Sequence, residues 1–535
     1  MRFGEAPPLS GRSRNLGRGQ RRWAAPAIAL LVAAAGLGAG ASPAAAAVAC
    51  PSGVESDFNG DGIRDLVVAD PEAPVGSQAD AGEITVVYGG GKGSLRINQD
   101  SPGIPGAAEQ GDQFGYELAV YDENQDGCSD VAVGLPYEDI DIRDTAGNLT
   151  GVASDAGMIQ IIHGSTAGLG AGDGVTEYWQ GEGRPLGGAA EAGDYVGYAL
   201  AAGETAAGVP FLVAGFPGEA IGTDQDAGGA AYIHGINRAV AAFNQDTTAG
   251  GDVPGGTEQD DQFGASVAAS PNHFAVGMPG EALGSYTFAG AAAVFSHTLV
   301  NGQPKPLFGM GQDQDNVSEY EETGDNFATG LAMAPYRPSG ASSTNESLLA
   351  VGIPGEDNGG VRDTGAVQIF RITAAGTFTE LNWISQMTPE VTGTDEAGDR
   401  FGHELAAINT SPSTVSTGST VRLAIGVPGE DSGSGATDAG AVSIVPMVGA
   451  PGASDSWLAP GPDTPIADQE DRYMGQSLAA VPSHLHVGIA YGPVAFRGIE
   501  KYTWNTPAGG APADRLLPGT NGLAANGKAL GAKIR

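Results

Sequence analysis

The sequence predicts an all-β chain, a seven-bladed β-propeller closed when a C-terminal strand completes the first blade. Three observations predict it. An apolar run leading into Gly-x-Pro, or a relative of it, returns seven times. Two further phrases keep phase with that run. No stretch beyond residue 50 sustains a helical period.

The N-terminal segment comes first. Arg12, Arg14, Arg18, Arg21 and Arg22 form a basic region, Ala24 to Leu37 is apolar, and small residues run on to Ala49. That order is a secretory signal peptide over residues 1–47, with cleavage after Ala47 or nearby. Uncleaved, Ala24 to Ala49 is long enough to span a bilayer, although Gly36, Gly38, Gly40 and Pro43 weaken such a helix. Arg21-Arg22 invites a twin-arginine reading, but its flanks fit poorly. Cys50, after Val48-Ala49, has the setting of a lipidation box without its large aliphatic residue. No later apolar run reaches the roughly 18 residues needed to cross a bilayer. Residues 48–535 are therefore expected to form one exported, monomeric domain, secreted or attached at the cell surface, with no membrane span after cleavage.

The repeat supplies the strands. The Gly-x-Pro phrase reads VAVGLPYED at 131–139, LVAGFPGEA at 212–220 and FAVGMPGEA at 274–282. It continues as LAVGIPGED at 349–357 and LAIGVPGED at 423–431, with weaker copies at 66–73 and 485–493. Upstream of it stands an "FG" turn: Phe114-Gly115, Val196-Gly197, Phe263-Gly264, Phe327-Ala328, Phe401-Gly402 and Met474-Gly475. Downstream stands Asp-Ala-Gly or a relative with an alternating apolar run, as in DAGEITVVYG at 80–89 and DAGAVSIVPM at 438–447. Each repeat thus offers three short strands bounded by Gly, Pro and Asp turns. Polar-aromatic pieces such as Tyr178-Trp179-Gln180 and Leu381-Asn382-Trp383 supply a fourth. Four strands in each of seven repeats predict a propeller, in which radial repetition leaves only short sheet edges. The first repeat lacks its FG turn, whereas GKALGAKI at 527–534 aligns with GDRFGHEL at 398–405. Leu530-Gly531 is read as the missing FG strand, which closes the ring and excludes an open solenoid.

Composition narrows the partners. The 535 residues carry 63 Asp and Glu against 25 Lys and Arg, a formal charge of −38. Such a surface does not suit nucleic acid, whose phosphates need clustered Lys and Arg. Cations are the natural counter-partners.

The FG turn followed by Gly-x-Pro resembles the FG-GAP repeat of the integrin α-chain propeller, over roughly residues 51–535 and in all seven repeats. The resemblance implies the propeller and its cation loops. It does not extend to the family's inserted ligand-binding domain, β-sandwich stalk or membrane helix, so it leaves the ligand open.

Two loops carry the sharpest chemistry. Residues 57–65 read DFNGDGIRD and residues 122–130 read DENQDGCSD, both D-x-N-x-D-G-x-x-D. Oxygen donors at positions 1, 3, 5, 7 and 9 suit a hard cation such as Ca2+. The expected ligands are Asp57, Asn59, Asp61, the Ile63 carbonyl and Asp65. In the second loop they are Asp122, Asn124, Asp126, the Cys128 carbonyl and Asp130. Gly62 and Gly127 allow the tight turn at position 6. Position 12 holds Val68 and Val133, so these are hairpin loops and not EF-hands. Extracellular sites of this class bind at about 10⁻⁴–10⁻³ M, which suits structural occupancy. Cys50 and Cys128, the only two cysteines, are expected to pair across adjacent blades, since export permits oxidation. A lipidated Cys50 or two free thiols are the alternatives.

Other motifs read as structural. Glu219, Glu281, Glu356 and Glu430 recur at one repeat phase, which suits acceptance of backbone N–H groups in turns better than catalysis. Asp226, Asp363 and Asp438 are read likewise. His484 and His486 share one strand face, and a partly exposed strand is preferred there to a metal pair without a third ligand. No G-x-S-x-G, H-E-x-x-H or phosphate-cradling glycine loop is present. Two function classes remain. One is a calcium-binding adhesion, recognition or scaffold module for an unknown extracellular protein or glycan, its specificity carried by loops near 137–154, 387–398 and 503–526. The other is a secreted hydrolase, phospholipase-like, since the glycosylphosphatidylinositol-specific phospholipase D also carries FG-GAP repeats. No catalytic residue is nominated, and the enzymatic reading stays open.

Overall fold

A computed structural model describes residue 50 and residues 54–535, apart from 145, 173, 433–435, 460–469 and 493–496. The expected signal peptide lies outside the described residues. Seven four-stranded antiparallel sheets make up the fold, with two short 3-10 turns at Gly89–Gly91 and Pro451–Ser454. No helix among the described residues is long and apolar enough to cross a membrane.

Blade 1 runs from its outer to its inner edge through Ser94–Ile97, Glu83–Val87, Leu66–Asp70 and Lys533–Ile534. Ile534 pairs with Val68 and Lys533 with Ala69, so the ring closes through residues from both ends of the repeat array. Blade 2 begins at Glu117–Tyr121 and ends at Val175–Tyr178; an exposed hairpin, Ile140–Arg143 with Leu149–Ala153, projects from it. That hairpin occupies the stretch read from sequence as a long loop. Blades 3 to 7 follow in chain order.

The two signature phrases meet at one contact. A Cβ placed on Gly215 would lie 1.8 Å from the Gly264 carbonyl oxygen, and one on Gly426 would lie 2.0 Å from that of Gly475. Gly134 and Gly352 likewise pack bare backbone onto the FG glycine of the following blade, whereas a Cβ on Gly277 would meet the Ala328 carbonyl at 2.6 Å and Ala69 faces Gly115 with its own Cβ. Gly488 makes the same approach to Gly531, 2.0 Å from a built Cβ, which joins blade 7 to blade 1. The aromatic or aliphatic residue of each FG turn is buried: Phe114, Val196, Phe263, Phe327, Phe401, Met474 and Leu530. The residue just before it has positive φ, as in Gln113, Tyr195, Gln262 and Arg400. Asp226, Asp363 and Asp438 also have positive φ, a conformation in which Asp is among the better tolerated residues.

The recurrent glutamates have a different partner from the one expected. Glu138, Glu219, Glu281, Glu356 and Glu430 each accept a side-chain amide from a buried Gln of the preceding blade. The bonds run from Gln99, Gln180, Gln245, Gln312 and Gln386 at 2.6–3.0 Å. Beside them, at these five junctions, lies the Asp two residues before the FG turn: Asp112, Asp194, Asp261, Asp325 and Asp399. Burial, reinforced by neighbouring carboxylates, pushes Asp194, Asp261, Asp325 and Asp399 up to about 7. The same causes push Glu138, Glu356 and Glu430 up to about 8.

Candidate functional site: paired aspartate loops

The loops sit side by side where blade 1 meets blade 2. The first leads into strand Leu66–Asp70 and the second joins Glu117–Tyr121 to Asp130–Leu135. Their internal bonds correspond one for one. Asp57 accepts the N–H groups of Asp61 at 3.1 Å and Gly62 at 2.8 Å. Asp122 accepts those of Asp126 at 3.1 Å and Gly127 at 2.9 Å. Asn59 and Asn124 accept the position-5 N–H at 3.0 and 2.8 Å. Asp61 and Asp126 accept the position-7 N–H, both at 2.8 Å. Gly62 and Gly127 take φ of 83° and 92°, as the turn requires. Each loop is thereby wound with its oxygen-bearing side chains turned onto its own backbone N–H groups.

The ninth-position aspartates are fixed from within. Asp65 accepts from Phe58 and Gly89, and Asp130 accepts from Glu123 and Gly164, all at 2.8–2.9 Å. Each tethers its loop to the end of the next strand but one, and a carboxylate oxygen keeps a second lone pair after one such bond. Burial pushes Asp65 and Asp122 up to about 6. Burial also raises Asp130, against the opposing pull of His163. Lys92 Nζ lies 3.0 Å from Asp61 Oδ2 and places a resident positive charge at the first loop. The donor set is all oxygen in both loops, which fits a hard cation and not a thiolate- or imidazole-seeking one. The carbonyls of Ile63 and Cys128 stand at position 7.

Backbone bonds weld the loops together. Ser129 N–H donates to the Asp57 carbonyl at 2.9 Å, and Cys50 N–H donates to that of Asp126 at 3.0 Å. Cys50 and Cys128 are joined as a disulfide with Cα atoms 5.1 Å apart, closing a span of 78 residues. Cys50→Ser together with Cys128→Ser should lower stability by about 2–4 kcal/mol, measured by urea unfolding against the oxidised parent.

Sequence reasoning missed a buried group beneath the second loop. Glu123, Asp130 and His163 are all buried, with His163 Nδ1 3.5 Å from Asp130 Oδ2. Arg238 of blade 3 reaches Glu123 Oε2 at 2.7 Å. The first loop has Phe58 at the position of Glu123, so this lock belongs to the second loop alone. Only a comparison of the two loops at position 2 would have singled out Glu123.

Other histidines are structural. His484 and His486 are both buried, a departure from the expected partly exposed strand, with Nε2 atoms 3.0 Å apart. Burial and nearby positive charge, from Lys501 and Arg64, lower both, to about 4 and about 3. That setting disfavours a second cation. His273 Nδ1 lies 2.9 Å from Ser347 Oγ, but both residues are buried, on strands of adjacent blades. A cavity of about 560 Å³ lies among the inner strands, lined in part by Tyr116, Tyr198, His403, Tyr473 and Tyr491. Lys533 crosses to Glu117 at 2.9 Å beside it.

Two curated relatives match a segment of the chain. The phosphatidylinositol-glycan-specific phospholipase D of Mus musculus is 39% identical over 83 residues, 15% of this chain and 10% of that protein. Integrin alpha-PS5 of Drosophila melanogaster is 38% identical over 85 residues, 16% of this chain and 8% of that protein. The chain thus spans about a tenth of the length of the curated relatives it matches. No family model matches. Among solved structures, Saccharomyces cerevisiae Sqt1 aligns at TM-score 0.40 and 10% identity, over 76% of this chain and 77% of that one. A putative 6-phosphogluconolactonase from Bacteroides fragilis aligns at 0.42 and 8%, over 88% and 97%.

Proposed function

We propose that this chain is an exported, calcium-binding propeller that acts outside the cell as an adhesion, recognition or scaffold module. The observation that carries the reading is the bond-for-bond identity of two adjacent loops whose side-chain donors are all oxygen. Calcium there would hold the blade 1–2 junction in one shape, and the partner, a protein or a glycan, would be met by loops on that fixed frame. The short similarity to an integrin α chain supports a recognition role. The equally short similarity to a phospholipase D favours a hydrolase as the second reading.

The calcium assignment is tested by equilibrium dialysis. Asp61→Ala with Asp126→Ala should lower bound calcium by two equivalents and shrink the gain in Tm that calcium gives. An unchanged calcium content refutes the assignment. The role is tested by capture from envelope and secreted fractions on the immobilised chain, in calcium and in chelator. Saturable, calcium-dependent capture of one component supports recognition. Hydrolysis of a phospholipid or glycan, lost on changing a single carboxylate, would replace that reading with the second.

A further inference from the structure

We infer that five of the seven blade junctions are sites for a hard, oxygen-seeking cation of the calcium class, additional to the two aspartate loops and independent of them. Each is built from one Gln, one Asp and one Glu. At the junction of blades 3 and 4, Gln245 Nε2 donates to Glu281 Oε2 at 2.8 Å. Asp261 Oδ2 accepts the Glu258 N–H at 2.6 Å. Gln245 Oε1 and Asp261 Oδ1 are left buried with no hydrogen-bond partner. The two residues are 3% and 1% exposed. The junction of blades 5 and 6 repeats the arrangement. Gln386 donates to Glu430, and Gln386 Oε1 and Asp399 Oδ1 are buried and unpartnered in residues 5% and 0% exposed. The Gln oxygen is orphaned in the same way at the three other junctions.

A buried carbonyl or carboxylate oxygen without a donor costs free energy, and it recurs here beside a buried Asp and a Glu that is buried at Glu356 and half-buried at the other four junctions. None of the ten carboxylates takes part in an ion pair among the described residues. Carboxylates of one sign held side by side away from water need either a proton or a counter-charge. Oxygen acceptors lacking donors, next to uncompensated carboxylates, are what a hard cation satisfies.

The remaining two junctions supply the internal control. Counting in repeat phase, the Asp position is Arg472 before Met474 and Lys528 before Leu530. The Glu position is then Gly492 or Ala73, and the Gln position Pro460 or Pro518. All three members are present together or replaced together, and where the acids are absent a basic residue stands at the Asp position, Arg472 buried and Lys528 exposed with its ammonium on Asp80. Arg472 is buried, and its Cγ lies 3.2 Å from where Gly492 would carry a Cβ. The basic side chain thus takes up room beside the position that Glu holds elsewhere.

The test is the calcium stoichiometry of the full chain, stripped with chelator and returned to calcium at neutral pH. More than two equivalents, up to seven, are expected. Asp261→Asn with Glu281→Gln should remove one equivalent, whereas Asp61→Ala with Asp126→Ala removes two, so the junction and loop assignments fail separately. Asp261→Lys with Glu281→Ala copies the residues found at Lys528 and Ala73; it should fold and also bind one equivalent fewer. Two equivalents or fewer in the parent overturn the inference, as do junction variants that bind as much as the parent. An infrared band of protonated carboxyl that persists in calcium would likewise overturn it and assign protons to these junctions.

Discussion

Gly352→Ala should disable the ring although it adds one methyl group. The Cβ would lie 1.9 Å from the Gly402 carbonyl oxygen, a backbone atom of the next blade that no rotamer change can move aside. Gly352 does not have positive φ, so the loss is one of space and not of conformation. Relief requires blades 5 and 6 to part by about 1 Å in a closely packed interior, which also loosens Phe401 and its neighbours. Overpacking of this kind costs about 3 kcal/mol or more. Seven junctions close one ring, so a parted pair displaces the others. Gly256→Ala is the control: its Cβ meets nothing within 4 Å, and the change in stability should stay within about 0.5 kcal/mol. Urea unfolding of the two variants decides the matter. Equal stabilities would mean that the glycine contact does not hold the blades together.

That contact explains why so much of the fold was legible. A backbone-on-backbone approach leaves little room for a side chain, so it stamps Gly into two phrases at most repeats, Ala69 and Ala328 excepted, and counting those phrases gives the blades. Leu530-Gly531 could be read as a displaced FG turn for the same reason. The aspartate loops were legible because ligand spacing is local in sequence. The Gln–Asp–Glu groups were not, because Gln245 and Glu281 belong to different blades and Gln245 stands in no local motif that points to the recurrent Glu. Only aligning all seven repeats by phase, including the two that carry Arg472 and Lys528, makes them visible. The group of Glu123, His163 and Arg238 occurs once and leaves no repeat signal. The hairpin at Ile140–Arg143 and Leu149–Ala153 is short and mostly exposed; Ile-Asp-Ile-Arg alternates for only four residues, and Leu-Thr-Gly-Val-Ala breaks the alternation that marks a half-buried strand.

Removal of residues 528–535 should cost more than any single substitution outside the glycine contacts. Leu530 and Ile534 are buried, and their loss alone forfeits about 3–6 kcal/mol at about 1.5–3 kcal/mol for each large apolar side chain. Asp70, buried in blade 1, accepts the N–H groups of Lys528 and Ala529 at 3.0 and 2.8 Å. Without them it keeps its burial and loses both donors, which adds a desolvation penalty. Glu117 of blade 2 likewise loses Lys533 at 2.9 Å and Arg535 at 3.0 Å. The inner edge of Leu66–Asp70 is then bare, and an unpaired edge strand invites intermolecular pairing. The truncated chain should therefore melt at markedly lower temperature, with partial aggregation and a broadened transition by calorimetry and light scattering. Leu530→Ala should show a milder form of the same loss, about 2–4 kcal/mol, with the edge still covered and no aggregation. A truncated chain that melts as sharply as the parent would mean that blade 1 is stable with three strands, and that strand Lys533–Ile534 does not hold the ring closed.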